Sequence, residues 1–164
     1  MIERLVLTAD VRAELFEQAR EGAPEEVCGV LAGERRPADG VDDGPAPADA
    51  AGDAQIARIT ALRPVTNVAD EPRYRYDLDP AETVRRIEAV ETDGFDHLGF
   101  YHSHPAGPRG PSRTDERLAT WPDYVYLIVS LGEEPVIGAW RWTGESFVQL
   151  PVCVADEGSG TRGT

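Results

Sequence analysis

The sequence contains no lysine: its 16 basic residues are all arginine, against 30 acidic ones, for a formal net charge of −14. That balance excludes nucleic acid and anionic membranes as partners, because both would be repelled. It suits a protein working in concentrated salt, where the Debye length falls to about 3 Å and self-repulsion is screened. A salt-adapted host, a halophilic archaeon, is the inference. Only two cysteines occur, Cys28 and Cys153, and they form no CxxC pair. A zinc ribbon is excluded, and a cytoplasmic setting argues against a disulfide between the two without settling whether they pair. Cys28 lies in an apolar run and reads as a small buried residue. No apolar run approaches the roughly 20 residues that cross a bilayer. Met1-Ile2-Glu3-Arg4-Leu5 lacks the regions of a signal peptide, so a cytoplasmic location is expected. At 164 residues the chain suits one domain, expected over residues 1–154 with a disordered tail at 155–164.

Most of the chemistry is concentrated in one stretch. The apolar run Leu98-Gly99-Phe100-Tyr101 reads as a strand entering the interior, and His102-Ser103-His104 continues it. Residues two apart on a strand share a face, so the two imidazoles stand side by side while Ser103 points the other way. Three prolines and two glycines between Pro105 and Pro111 then force the chain out of regular structure. Ser112 begins a helical segment with Asp115 in its first turn. Two nitrogen ligands, a stiff loop and a returning oxygen ligand make a three-ligand set with one open position, the pattern of a catalytic zinc site. HExxH and the deaminase HxE with PCxxC are absent.

The rest of the chain alternates strands and helices. Residues 2–7 read as a strand. Asp10 can cap a helix whose apolar stripe is Val11, Leu15, Phe16 and Ala19, ended by Gly22 and Pro24. An acidic pair, Glu25-Glu26, leads into the apolar strand Val27 to Gly33. Residues 34–54 are Pro, Ala, Gly and Asp with almost no large apolar residue, and are expected to form a disordered acidic loop. Ile56–Val65 reads as a strand. Asp79-Pro80-Ala81-Glu82 is a helix start, with Val84, Ile87 and Val90 expected to face inward and Gly94 to end the helix. The helix after Ser112 should run to about Trp121, where Pro122 stops it. Tyr124–Leu131 is a strand buried on both faces, followed by Val136–Trp142 and Ser146–Val152 as an antiparallel meander. Trp140 and Trp142 share one face as packing. His97, outside the motif, reads as a surface residue.

His102-Ser103-His104-Pro105 followed by Pro111-Ser112 and Asp115 resembles the HS/THP and PSxxD signature of the JAMM (MPN+) metalloproteases. The resemblance extends over most of residues 1–152. It implies an α/β fold, a mixed, largely antiparallel curved sheet flanked by helices. It also implies one Zn²⁺ held by His102, His104 and Asp115. The family's catalytic glutamate lies in a P-x-E-x-C-G context, which matches Glu26 rather than Glu25. The family's PS pair makes Ser112 the candidate oxyanion donor, although Ser-x-x-Asp also resembles a capping box. The activity implied is zinc-dependent isopeptidase cleavage of ubiquitin-like modifier proteins, in an archaeal setting small archaeal modifiers, from target lysines. A modifier tail could add to a sheet edge near the metal. Ala69–Asp79, with Tyr74 and Tyr76, occupies the place of the loop that contacts the modifier in relatives. Release of an amino acid from a sulfur-carrier protein keeps the chemistry and changes the substrate. A non-catalytic MPN scaffold would lack ligands that are present here. Having no lysine could protect such an enzyme from modification, although arginine-biased coding with salt adaptation explains the absence more simply.

Overall fold

Each helix begins where a short polar side chain satisfies an otherwise free backbone N–H. Thr8 accepts from the Val11 N–H at 3.1 Å, Asp79 from Glu82 at 3.1 Å and Ser112 from Asp115 at 3.0 Å. Thr8 is therefore the first cap, and Asp10 sits in the first turn beside the helix's positive end. The structure, a computed structural model, describes residues 1–38 and 54–155. In chain order these give β1 (Ile2–Leu7), α1 (Ala9–Gly22), β2 (Cys28–Pro37), β3 (Gln55–Val65), α2 (Pro80–Thr92) and β4 (Asp96–His104). They are followed by α3 (Arg113–Leu118), β5 (Val125–Ser130), β6 (Val136–Trp142), β7 (Phe147–Leu150) and β8 (Val152–Val154).

The strands form one mixed α/β sheet in the order β7-β6-β5-β4-β2-β3-β1-β8. β1 pairs in parallel with β3 and β8, as β4 does with β5, while the other four pairings are antiparallel. The expected meander strand Ser146–Val152 is broken at Pro151, which has no N–H to give a ladder. Its carbonyl instead accepts from the Leu5 N–H at 3.0 Å. One residue thus separates the two edges of the sheet, a reach of only about 7 Å, so the sheet must curl round on itself. Arg141 closes the seam, donating from Nη1 to the Ile2 carbonyl at 2.7 Å. α1 fills the curl, with Val11, Leu15, Phe16 and Ala19 against Leu31, Leu127, Val129 and Leu150. The opposite face carries Val30, Phe100, Tyr126 and Trp142, covered by Val90 of α2 and by Ala119 after α3. On α2, Val90 is buried and Ile87 half-buried as expected, but Val84 is 55% exposed and Thr83 takes the inward position.

The segment expected as an acidic loop is partly strand, because β2 runs on to Pro37 and Ala38 and Ala54 are both buried. Residues 39–53 and 156–164, to which the rest of the expected loop and most of the expected tail belong, lie outside the described residues. α3 ends at Leu118, short of Trp121, with Ala119 already extended. Both cysteines are free, and burial, with acidic neighbours led by Glu26, pushes the Cys28 thiol up to about 12. No described helix is long and apolar enough to cross a membrane.

His97 is 5% exposed, not a surface residue. The ladder between β2 and β4 skips Leu98, pairing Leu31 with Gly99 and Ala32 with His97. Gly99 adopts φ +155°, and a Cβ there would run into the Val125 carbonyl, so glycine makes this bulge possible. The skipped residue brings His97 onto the same face as Phe100, where it packs among Phe100, Trp121 and Tyr124. Burial pushes its pKa down to about 4. A histidine depressed in the fold is neutral there but protonates in the unfolded chain below about 6.5, so stability is lost as pH falls from about 6.5 to 4. We expect His97→Phe to flatten this dependence by about 2–3 kcal/mol across that window, read as denaturant unfolding at stepped pH. Parallel stability profiles for the two proteins would refute that role for His97.

Candidate active site

The site is built where β4 ends. Alternation along the strand sends Tyr101 and Ser103 to the α1 face and His102 and His104 to the α2/α3 face. The α1 side is anchored twice. The Tyr101 hydroxyl donates to Gln18 Oε1 at 2.7 Å, and the Ser103 hydroxyl accepts from the Val27 N–H at 2.9 Å. Ser103 thus supports the strand from the face opposite its histidine neighbours, as alternation requires. β4 lies between β2 and β5, so the histidines stand mid-sheet.

The loop after His104 returns the chain to the site, and α3 presents Asp115. Ser112 and Asp115 form a reciprocal capping box, with the Asp115 N–H on Ser112 Oγ and the Ser112 N–H on Asp115 Oδ2 at 2.9 Å. The same Oδ2 lies 3.2 Å from His102 Nε2 and 3.1 Å from His104 Nε2, and the two Nε2 atoms are 3.2 Å apart. Three ligand atoms around a tetrahedral ion at about 2.0–2.1 Å stand about 3.3–3.4 Å from one another, so the triangle fits such an ion closely. Two ring nitrogens and a carboxylate oxygen crowd together in this way with only ring protons to share, and a cation resolves that crowding. His104 Nδ1 is 2.8 Å from the Pro108 carbonyl, its partner among the described residues, so Nδ1 donates there and Nε2 is directed at the triangle. Burial acts to raise the Asp115 carboxyl, but hydrogen bonds from both histidines outweigh it and hold it far below the usual carboxylate range. Burial lowers His102, which keeps its imidazole neutral and able to ligate.

Glu26 lies two residues before β2, whose first residue, Cys28, pairs with His102. It is 7% exposed, whereas Glu25 is exposed to solvent. A carboxylate oxygen of Glu26 lies within 4.8 Å of ligand atoms of both histidines. Asp115, at hydrogen-bond distance from both, is the better third ligand, and Glu26 stands beside the triangle. Burial pushes the Glu26 carboxyl up to about 7, with His104 opposing and Asp115 adding to the shift. Its Oε1 is buried without a hydrogen-bond partner among the described residues. An unpaired buried carboxylate with a pKa near neutrality is the chemical form of a general acid–base.

The structure thus brings together all five residues singled out by the sequence: Glu26, His102, His104, Ser112 and Asp115. Two neighbours were not legible there. Tyr76 is 7% exposed and its ring stacks on His102 at 4.1 Å and 22°, while Tyr74 is 75% exposed. Asn67 donates from Nδ2 to the Glu26 carbonyl at 2.9 Å. Both belong to the loop after β3, and nothing in their local pattern signals a long-range contact. Tyr76 also lines a groove of about 330 Å³ with Leu78, Val84, Leu118, Trp121 and Tyr126, opening between α2 and α3 beside His102.

Comparison with known proteins agrees with this geometry. Residues 8–143 match the family described as prokaryotic homologs of the JAB domain. The chain is 46% identical over 155 residues to a desampylase of Haloferax volcanii, covering 92% of this chain and 96% of the relative. It is 36% identical over 155 residues to a CysO-cysteine peptidase of Mycobacterium tuberculosis, covering 93% and 92%. A solution structure of a protein from Desulfitobacterium hafniense superposes with a TM-score of 0.73 at 28% identity, covering 92% of each chain. A mixed curved sheet with two histidines, an aspartate and a buried glutamate at one strand end, together with a match over most of the length, places this chain in the JAB domain family of JAMM-type peptidases.

Proposed function

We propose that this chain is a zinc-dependent isopeptidase that releases ubiquitin-like small archaeal modifier proteins from target lysines. The observation that carries the reading is the triangle of His102 Nε2, His104 Nε2 and Asp115 Oδ2, with edges of 3.1–3.2 Å, beside the unpaired Oε1 of Glu26. Its likeness to a desampylase supports this substrate class.

One zinc ion held by His102, His104 and Asp115 would supply Lewis acidity to the scissile carbonyl and make water easier to deprotonate. Glu26 takes a proton from the attacking water on Oε1 and delivers it to the lysine nitrogen as the C–N bond breaks; the second proton of that water also passes to the amine, so the products are a carboxylate and an ammonium and Glu26 is ionised again. The raised affinity of Glu26 for a proton suits both halves of that transfer. Ser112 Oγ already accepts the Asp115 N–H, which leaves its own O–H free to donate to the developing oxyanion. Capping and catalysis are thus compatible uses of one hydroxyl. Pro108 holds the His104 ring in its ligating tautomer. The groove lined by Tyr76 would receive the extended C-terminal tail of the modifier. Working in concentrated salt inside the cell would suit the acidic surface. A second reading, release of an amino acid from a sulfur-carrier protein by the same residues, is supported by the likeness to a CysO-cysteine peptidase.

Two outcomes test the proposal. The protein should bind one zinc per chain, lose cleavage on chelation and regain it on zinc addition. Asp115→Ala should weaken zinc binding at least about 100-fold, since one of three ligands is lost. Elemental analysis and competitive chelation measure this, and a metal-free wild type active on conjugates would refute it. Glu26→Gln should keep its zinc yet lose about 10²–10⁴ in kcat on a modifier–lysine conjugate. Ser112→Ala should lose about 10²-fold in kcat. A Ser112→Ala variant that is merely less stable, with unchanged kcat, would leave that residue as a cap alone. Running the conjugate beside a carrier–amino acid substrate separates the two readings.

A further inference from the structure

Glu26 precedes β2, so no ladder of its own sheet fixes its main chain. Both of its backbone polar groups go instead to the loop after β3. The Glu26 N–H donates to the Pro72 carbonyl at 2.7 Å, and the Glu26 carbonyl accepts from Asn67 Nδ2 at 2.9 Å. Asn67 Nδ2 also donates to the Arg75 carbonyl at 3.1 Å, while Oδ1 accepts from the Ala69 N–H at 3.0 Å and the Asp77 N–H at 2.9 Å. An amide side chain offers two donors and two favoured acceptor positions, so Asn67 is fully used. The Val68 N–H on the Asp77 carbonyl at 2.8 Å, and a bridge between Asn67 and Leu78, close the segment into a strap pinned at its base.

The other end of the strap reaches the metal-ligand side. The hydrogen-bond-range contacts of His102 run through Nε2, the nitrogen directed at the triangle. His104 differs, because its ring plane is set by Nδ1 on Pro108. What holds the plane of His102 is the buried, near-parallel ring of Tyr76.

We infer that the strap from Asn67 to Leu78 is the positioning element of the site, Asn67 setting the main chain of Glu26 and Tyr76 setting the ring of His102. The roles of Glu26 and His102 rest on the function proposed above; the way they are held does not. One short segment then fixes the proton-transfer group and a metal ligand together, and a displacement of the strap would disturb both. Neither Asn67 nor Tyr76 touches the reacting atoms, so both are positioning residues.

The test uses the full chain with Tyr76→Phe, Tyr76→Leu and Asn67→Asp, and Asn67→Ala beside the last because it removes the bonds without adding charge. Tyr76→Phe keeps the planar ring, whereas Tyr76→Leu keeps only apolar bulk. The Leu variant should hold zinc about 10–100-fold more weakly against a competing chelator, and shift the ligand-field bands of the cobalt-substituted protein, with the Phe variant matching wild type. Asn67→Asp and Asn67→Ala should retain zinc normally, speed amide exchange at Glu26 at least about 10-fold, and lower kcat by about the same factor with KM unchanged. Equal zinc retention and equal cobalt spectra in the Leu and Phe variants would overturn the role of Tyr76. Wild-type Glu26 exchange in both Asn67 variants would overturn that of Asn67. Zinc retention, cobalt spectra and amide exchange need no substrate. Failure of wild type to cleave any conjugate would therefore sink the proposed function while these readings still decide the strap.

Discussion

Two imidazole nitrogens and a carboxylate oxygen, each within 3.2 Å of the others and almost wholly shielded from water, form the constraint on which the rest of the structure depends. Such a cluster is unfavourable for a protein alone, since desolvated acceptors repel and have few protons to share. It persists because every group is held from behind. Ser103 ties β4 to the start of β2, Pro108 fixes one ring, Tyr76 stacks on the other and the capping box fixes the aspartate. Glu26 is held to the same standard by its backbone and stands beside the cluster. The curl of the sheet around α1 supplies the rigid base, and α2, α3 and the strap cover the face on which the chemistry occurs.

Much of this was legible in the sequence because it depends on short-range rules. Period-two alternation places His102 and His104 together, and proline and glycine force the loop. A Ser-x-x-Asp step starts α3 with Asp115 in its first turn, and the central strand reads from its unbroken apolar run. What escaped depends on long-range geometry or on a local break in period. The bulge at Leu98–Gly99 inverts the face of His97, so counting by twos cannot find its burial. Pro151 marks the end of one strand in sequence, but only the curl of the sheet reveals that the next strand begins on the opposite edge. Val84 sits in an apolar helical stripe yet lines an open groove, and periodicity cannot tell a core face from a binding face. Tyr76 and Asn67 lie in a loop without apolar pattern, and the site residues they touch, His102 and Glu26, are at least 26 residues away in sequence.

The surface and the site answer to different demands. An acidic, arginine-only exterior weakens association with polyanions and suits concentrated salt, in which charge repulsion is screened. The site itself is dry, so its hydrogen bonds and ion contacts are little affected by that screening.

The most direct test of the account is cleavage of a lysine-linked modifier conjugate by the zinc-loaded protein in molar salt and ¹⁸O-labelled water. The account predicts release of the modifier with one ¹⁸O in its new C-terminal carboxylate, abolished by chelation and by Glu26→Ala. No release from the zinc-loaded wild type, or release that survives chelation, would contradict it.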